Sequence, residues 1–375
     1  MSFMQIITDV KIKEFIGLFL FLLAVGTHAQ TDTVRVKLAA DTLSAEMQEG
    51  GFSPEALRAY NEGLAHFRAY RLDEALTAFS DALDAEPDFA KAYFNRAATY
   101  MEVKNYHRAT ADLDMYLLCT DSMREAYFLR ARAHHLAGHD KRALVCYTEA
   151  IDNNARPAEA ALYRAEIHFK AGRDEEAIAD YTAGLSAFPD NAGARHDRGS
   201  AYMKTGRLNE AIADYNYVVR IKPGMARAHA NLGAAQRKAG NLTEALAALN
   251  TAVRLEPDNA VNLNSRGFVN YLSGNYDAAE EDFRRALEQA PDYAYAHNNL
   301  AGVLIKKEDY EAAEKFAGKA LSLENNYAQA YMNRGIAREM LRDMTGACAD
   351  WRKAERMNVP NAAAYRSTSC KFIDQ

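Results

Sequence analysis

Residues Gly206–Pro223 read GRLNEAIADYNYVVRIKP. The glycine closes one helix, since a left-handed C-cap is easiest for a residue without a Cβ. Ala211 falls where a second helix must touch the first. Tyr215 and Val218 supply core volume, and Pro223 stops the second helix. The alanine recurs every 34 residues, at Ala75, Ala109, Ala143, Ala177, Ala211, Ala245, Ala279, Ala313 and Ala347. A fixed period of this length predicts a solenoid of helix pairs, not the two or three globular domains that 375 residues would otherwise suggest.

With Ala56 as position 1, the pattern predicts helix A over positions 2–14 and helix B over positions 18–31 of each repeat. Position 8 is always Gly or Ala, and position 20 is always Ala, so the two axes can approach closely. Position 24 is nearly always large, from Phe79 to Trp351, and fills the space beside the small residues. Position 15 is Gly138, Gly172, Gly206, Gly240 and Gly274 in the five central repeats. Pro87, Pro189, Pro223, Pro257 and Pro291 fall at position 32 and end helix B. Tyr116 at position 27 and Ala317 at position 24 break the pattern, and looser packing is expected at both.

Two positions vary together. Position 7 is Arg96, Arg130, Arg164, Arg198, Arg266 and Arg334 in six repeats, and position 23 is Asp in all of these except the third. The repeats without the arginine also lack the aspartate. This predicts ion pairs between helices A and B: Arg96 with Asp112, Arg164 with Asp180, Arg198 with Asp214, Arg266 with Asp282 and Arg334 with Asp350. Such pairs fix register more than they add stability, because partly buried charges lose hydration. Arg130 faces Cys146 and needs another acceptor.

The small residue at position 8, Ala at 20, large residue at 24 and Pro at 32 resemble the tetratricopeptide repeat family. The usual tryptophan at position 4 is absent. The resemblance implies an all-α fold, a right-handed α-solenoid of about nine antiparallel helix pairs plus a C-terminal capping helix. The repeats would occupy 56–89, 90–123, 124–157, 158–191, 192–225, 226–259, 260–293, 294–327 and 328–361 within residues 53–361, with 362–375 as the cap.

In this family helix A lines a concave groove, which implies that positions 2, 5, 6, 9, 12 and 13 face a bound peptide. The candidate groove residues are then Tyr60, Phe94, Phe128 and Leu162 as apolar anchors, with His196 and Asp197 further along. Asn61, Asn95, Asn231, Asn299 and Asn333 at position 6 carry amides suited to an extended backbone. Lys170, Lys204 and Lys238 form a basic row at position 13 in successive repeats. No three consecutive repeats carry the family's full clamp for a C-terminal carboxylate.

The first 29 residues look like an export signal. Lys11 and Lys13 precede the apolar run Phe15–Val25, and Ala29 offers a cleavage site before Gln30. The run is too short for a stable span, which takes roughly 20 apolar residues. The expected address is the periplasm. Residues 30–52 read as a flexible leader, and Ser53-Pro54-Glu55 as a helix start. A net charge of −6 argues against nucleic acid as a partner.

Cys348 and Cys370 can meet across the last helix packing and form a disulfide in an oxidising compartment. Cys119 and Cys146 read as free, buried thiols. No catalytic motif or cofactor signature is present, and His134, His135 and His139 read as surface histidines without a metal. The reading is a non-catalytic scaffold that binds a partner protein's segment in its groove. The alternative is a structural subunit of an envelope assembly that uses convex or edge surfaces.

Overall fold

The computed structural model describes residues 52–120, 124–359 and 361–370. The export signal, nearly all of the leader and residues 371–375 of the cap lie outside the described residues. The fold is an all-α repeat solenoid, with 19 helices among the described residues. Helices A and B of the first five repeats are α1 (Pro54–Arg68) and α2 (Leu72–Ala85), α3 (Ala90–Glu102) and α4 (Tyr106–Cys119), α5 (Glu125–Leu136) and α6 (Asp140–Asp152), α7 (Pro157–Lys170) and α8 (Asp174–Ala187), α9 (Ala192–Lys204) and α10 (Leu208–Ile221). Four more pairs follow: α11 (Ala226–Lys238) and α12 (Leu242–Leu255), α13 (Ala260–Leu272) and α14 (Tyr276–Gln289), α15 (Ala294–Lys306) and α16 (Tyr310–Leu323), α17 (Ala328–Met340) and α18 (Met344–Arg356). The final helix is α19 (Ala362–Ser369). Most A helices start and end one residue earlier in the repeat than the pattern suggested.

The chain divides between Pro223 and Gly224 into two compact halves. Within each half, every helix A packs most extensively on its own helix B, and that helix B packs on the next helix A. The small residues explain the close crossing. A Cβ at Gly199 would lie 2.9 Å from a ring carbon of Tyr215, and one at Gly335 would lie 2.4 Å from Trp351 Nε1. The rings of Phe79, Tyr215, Phe283 and Trp351 are fully buried in the space left beside position 8. Each contributes about 1.5–3 kcal/mol.

The turn after helix A is left-handed at position 15 in all nine repeats. Glycine supplies it in five, and Tyr70, Lys104, Glu308 and Arg342 adopt it at φ 57–69° in the others. The turn therefore tolerates a local cost of roughly 1–2 kcal/mol where a side chain is kept. Ser53 caps α1, accepting from the Ala56 amide at 3.2 Å. Phe52, at the end of the leader, stacks on Phe89 with centroids 4.5 Å apart.

Two expectations of loose packing do not hold. Tyr116 is buried and meets Phe94 edge-on at 5.4 Å, with the smaller Leu113 at position 24 leaving it room. Ala317 is also buried, and its neighbour Phe316 supplies the missing ring by stacking on His297 at 5.8 Å. In each case ring volume has moved along the helix.

Candidate functional site

The position-7 arginines are brackets. In Arg96, Arg164, Arg198, Arg266 and Arg334, Nε and Nη2 donate to both oxygens of the aspartate 16 residues ahead, at 2.6–2.9 Å. This fork-on-fork geometry is the strongest form of the contact. In four of them Nη1 also reaches back 16 residues, to position 25 of the preceding repeat. Arg96 donates to Ser80 at 3.0 Å, Arg164 to Thr148 at 2.8 Å, Arg198 to Thr182 at 3.0 Å and Arg266 to Asn250 at 3.1 Å. The second tether links repeat to repeat, and the sequence reading missed it. The signal was the polar residue at position 25 before each of these arginines. Arg130, without an aspartate, pairs with Asp114 and Glu149.

The expected apolar anchors are core residues. Tyr60, Phe94 and Phe128 are 0 %, 0 % and 1 % exposed, so no partner can rest on them. Position 5 lies one turn before the small residue at position 8, on the face that meets the rest of the core. Tyr60 packs between Phe79 and Phe89, at 5.8 and 4.7 Å. Leu162 is half-buried, and His196 is buried with its ring 5.5 Å from Tyr215 and Nδ1 3.0 Å from Asp197 Oδ1.

The position-6 asparagines turn inward in the same way. Asn95 donates to Tyr60 Oη at 2.7 Å, Asn299 to Asn264 Oδ1 at 3.0 Å and Asn333 to Asn298 Oδ1 at 2.9 Å. Each reaches position 5 of the repeat before it, so these amides already serve to join neighbouring A helices. Asn61, which has no repeat before it, is exposed, and Asn231 is half-buried. In the basic row, Lys170 pairs with Glu166 at 2.9 Å, and Lys204 with Asp174 at 3.2 Å while lying 4.0 Å above the Phe169 ring. Lys238 is exposed, and desolvation followed by the neighbouring Arg237 pushes its ammonium below the usual lysine range.

What remains on the A-helix face is a polar and aromatic cluster on α5, α7 and α9. Arg132 of α5 lies 3.8 Å above the Tyr163 ring of α7. Tyr163 stacks on Tyr147 at 6.0 Å, and His135 meets both rings edge-on. His135 Nδ1 lies 3.1 Å from Tyr147 Oη. Burial pushes the His135 imidazole below the ordinary histidine range and the Tyr147 phenol above its own. Glu166 and Asp197 stand beside them with side chains 42 % and 38 % exposed. The buried Tyr181 hydroxyl lies in the field of both carboxylates and has no hydrogen-bond partner. The sequence points to Lys170, His196 and Asp197 here and takes His135, which is half-buried, for a surface histidine; Arg132, Tyr163 and Glu166 are not among its candidates. The available signal was position 9, where Arg132 and Glu166 are the charged exceptions to a row of small, apolar or hydroxyl side chains.

His134 is buried, contrary to its surface reading, because α5 is covered on that side; its ring lies 5.9 Å from that of exposed His139. Among the described residues no group of three or more His, Cys, Asp or Glu is placed to hold a metal, and no helix is long and apolar enough to cross a membrane. Cys348 and Cys370 form a disulfide with Cα atoms 5.9 Å apart. Cys146 is a buried thiol, but Cys119, the last residue of α4, is exposed. Tyr365 of α19 packs 5.3 Å from Trp351, so the last helix covers the end of the ninth repeat.

Sequence models of the tetratricopeptide repeat match residues 60–122, 141–192 and 196–260, and a second such model matches 258–326. Together they take in well over half of the chain. Tetratricopeptide repeat protein 12 of Homo sapiens is 26 % identical over 95 residues, which is 25 % of this chain and 14 % of that protein. The APC/C hetero-tetramer Cut9-Hcn1 contains a chain that superposes with a TM-score of 0.53 at 16 % identity, covering 86 % of this chain and 77 % of that one. PilF of Pseudomonas aeruginosa superposes with a TM-score of 0.50 at 17 % identity, covering 57 % of this chain and 97 % of that one. At such identities the two structures share a fold with this chain.

Proposed function

The chain belongs to the tetratricopeptide repeat family, and from that premise we propose a non-catalytic scaffold that holds a segment of a partner protein on the A-helix face of α5, α7 and α9. Repeats of this family serve as protein-interaction scaffolds. The observation that carries the finer reading is the contrast along helix A. Most position-5 side chains and position-6 asparagines are spent on internal contacts, whereas Glu166 at position 9 and Asp197 at position 6 stay exposed near the half-buried ring of Tyr163. The three helices form one continuous surface through the Arg132–Tyr163 and Lys204–Phe169 contacts. A half-buried ring with a polar rim suits an extended segment, because rings bury area at small entropy cost.

Site-specific photo-crosslinkers test this in the source cell. Placed at Glu166 and Asp197, they should yield adducts with a second polypeptide. Placed at exposed helix-B positions Leu118 and Asn216, they should yield few. Adducts from the helix-B sites alone would refute the reading.

Export to the periplasm belongs to the same proposal. The apolar run after Lys11 and Lys13 supports it, as does a disulfide at Cys348–Cys370, since such bonds persist in oxidising compartments. An N-terminus at Gln30 in protein recovered from the envelope fraction is the predicted result. An intact N-terminus in the cytoplasmic fraction would count against it.

A further inference from the structure

Arg132 is 8 % exposed, and none of the ion pairs among the described residues includes it. Eight arginines whose side chains are 14–23 % exposed, Arg96, Arg130, Arg164, Arg195, Arg198, Arg266, Arg334 and Arg338, each reach a carboxylate within 3.3 Å. Arg132 instead lies over the Tyr163 ring, and its Nε is enclosed without an acceptor. The Tyr147 hydroxyl beside it carries no charge, since burial holds that phenol protonated. His135 stands edge-on to the Tyr163 ring, and neither side chain is a carboxylate. A sheltered guanidinium without an anion forgoes its strongest contact. The nearby acid, Glu166, turns along its own helix to Lys170 at 2.9 Å.

We propose that Arg132 binds a carboxylate of the partner segment, with the Tyr163 ring holding the guanidinium flat for a two-point contact. This rests on the scaffold reading of the same face. The carboxylate comes from an Asp or Glu side chain or from a chain terminus, and both present the same two oxygens. Glu166 is the internal competitor, and it repels the incoming acid while Lys170 partly screens it.

The test uses the full chain labelled with nitrogen-15 arginine, following the Nε–Hε signal that disappears in Arg132→Met. Three peptides serve as probes: acetyl-Ala-Asp-Ala-amide, acetyl-Ala-Ala-Ala with a free terminus, and acetyl-Ala-Asn-Ala-amide as the uncharged control. A saturable shift with the first peptide assigns a side-chain carboxylate, and with the second a terminal one. The control should leave the signal in place. Arg132→Met should weaken the productive probe by about tenfold or more, as read from other signals of the face. Glu166→Gln, which keeps Arg132, should tighten it about threefold. No shift with either acidic probe, or an equal shift with the control, would overturn the proposal. The crosslinking yield at Asp197 separates the two readings. An unchanged yield in a folded Arg132→Met protein sinks the carboxylate site and leaves the scaffold standing. No adduct in the unaltered chain sinks the scaffold, whatever the peptides do.

Discussion

Arg266 grips both oxygens of Asp282, at 2.9 and 2.6 Å, and Asn270 Nδ2 adds a longer contact to the same carboxylate at 3.3 Å. The equivalent Asp214 is held by two arginines, Arg198 at 2.7 Å and Arg195 at 3.3 Å. Removing one partner of a buried pair costs about 3–5 kcal/mol when the other charge is left unpaired. Arg266→Met should therefore lose close to that amount. Arg198→Met should lose about 2 kcal/mol, because Arg195 remains. Urea melts of the two variants, compared at their midpoints, decide between this and an equal loss.

The crossing point of helices A and B makes a second prediction. Gly335→Ala places a methyl 2.4 Å from Trp351 Nε1, in a fully buried site. The overpacking should destabilise by about 1–3 kcal/mol. Gly224→Ala has nothing within 4 Å of the new carbon and should be close to neutral. Thermal melts followed by circular dichroism provide the comparison, and equal effects would contradict the packing argument.

The disulfide predicts a redox-dependent melt. Cys348 and Cys370 are 22 residues apart, and closing a loop of that size stabilises by about 3 kcal/mol. Cys370→Ser should lower the melting temperature of the oxidised protein. Reductant should lower that of the unaltered protein to a similar value while leaving the variant unmoved.

His135 makes the fourth prediction. Burial lowers its pKa in the folded chain, opposed by Glu166 and aided by Arg132. The fold thus favours neutral imidazole. Its contribution is complete above about pH 6.5, the unfolded value, and is lost as pH falls through the folded pKa. Stability should decline on acidification across that window, and less steeply in His135→Asn. Equal slopes in the two proteins would show that the ring does not couple to folding.

The architecture was legible because it is written nine times over. Ala211, Gly199 and Tyr215 each answer a steric demand of one crossing, and the demand recurs with the period. The Arg198–Asp214 pairing was legible for a related reason, since both residues come and go together. Tyr60, Phe94 and Phe128 were misplaced because an A helix is covered on more than one side. Its apolar arc is wide, and position 5 falls within it, three residues before the small residue at position 8. The asparagines Asn95 and Asn333 were misread because a single-repeat view omits the preceding helix, where their acceptors lie. Arg132 escaped notice for the opposite reason: it occurs once, and a reading built on recurrence gives least weight to what does not recur.

The position-7 bracket has a consequence for how such a chain can change length. Its two tethers fall 16 residues upstream and 16 downstream, at Thr182 and Asp214 for Arg198. Duplicating or deleting a 34-residue window returns the same offsets, and the bracket survives where the breakpoints keep an arginine with its aspartate; a deletion of residues 214–247 would instead set Arg198 opposite Ala248. Breakpoints need not respect helix ends for the register to survive. An array held this way can grow or shrink by unequal recombination without new contacts having to be invented, whereas the stapled α19 confines such events to the interior.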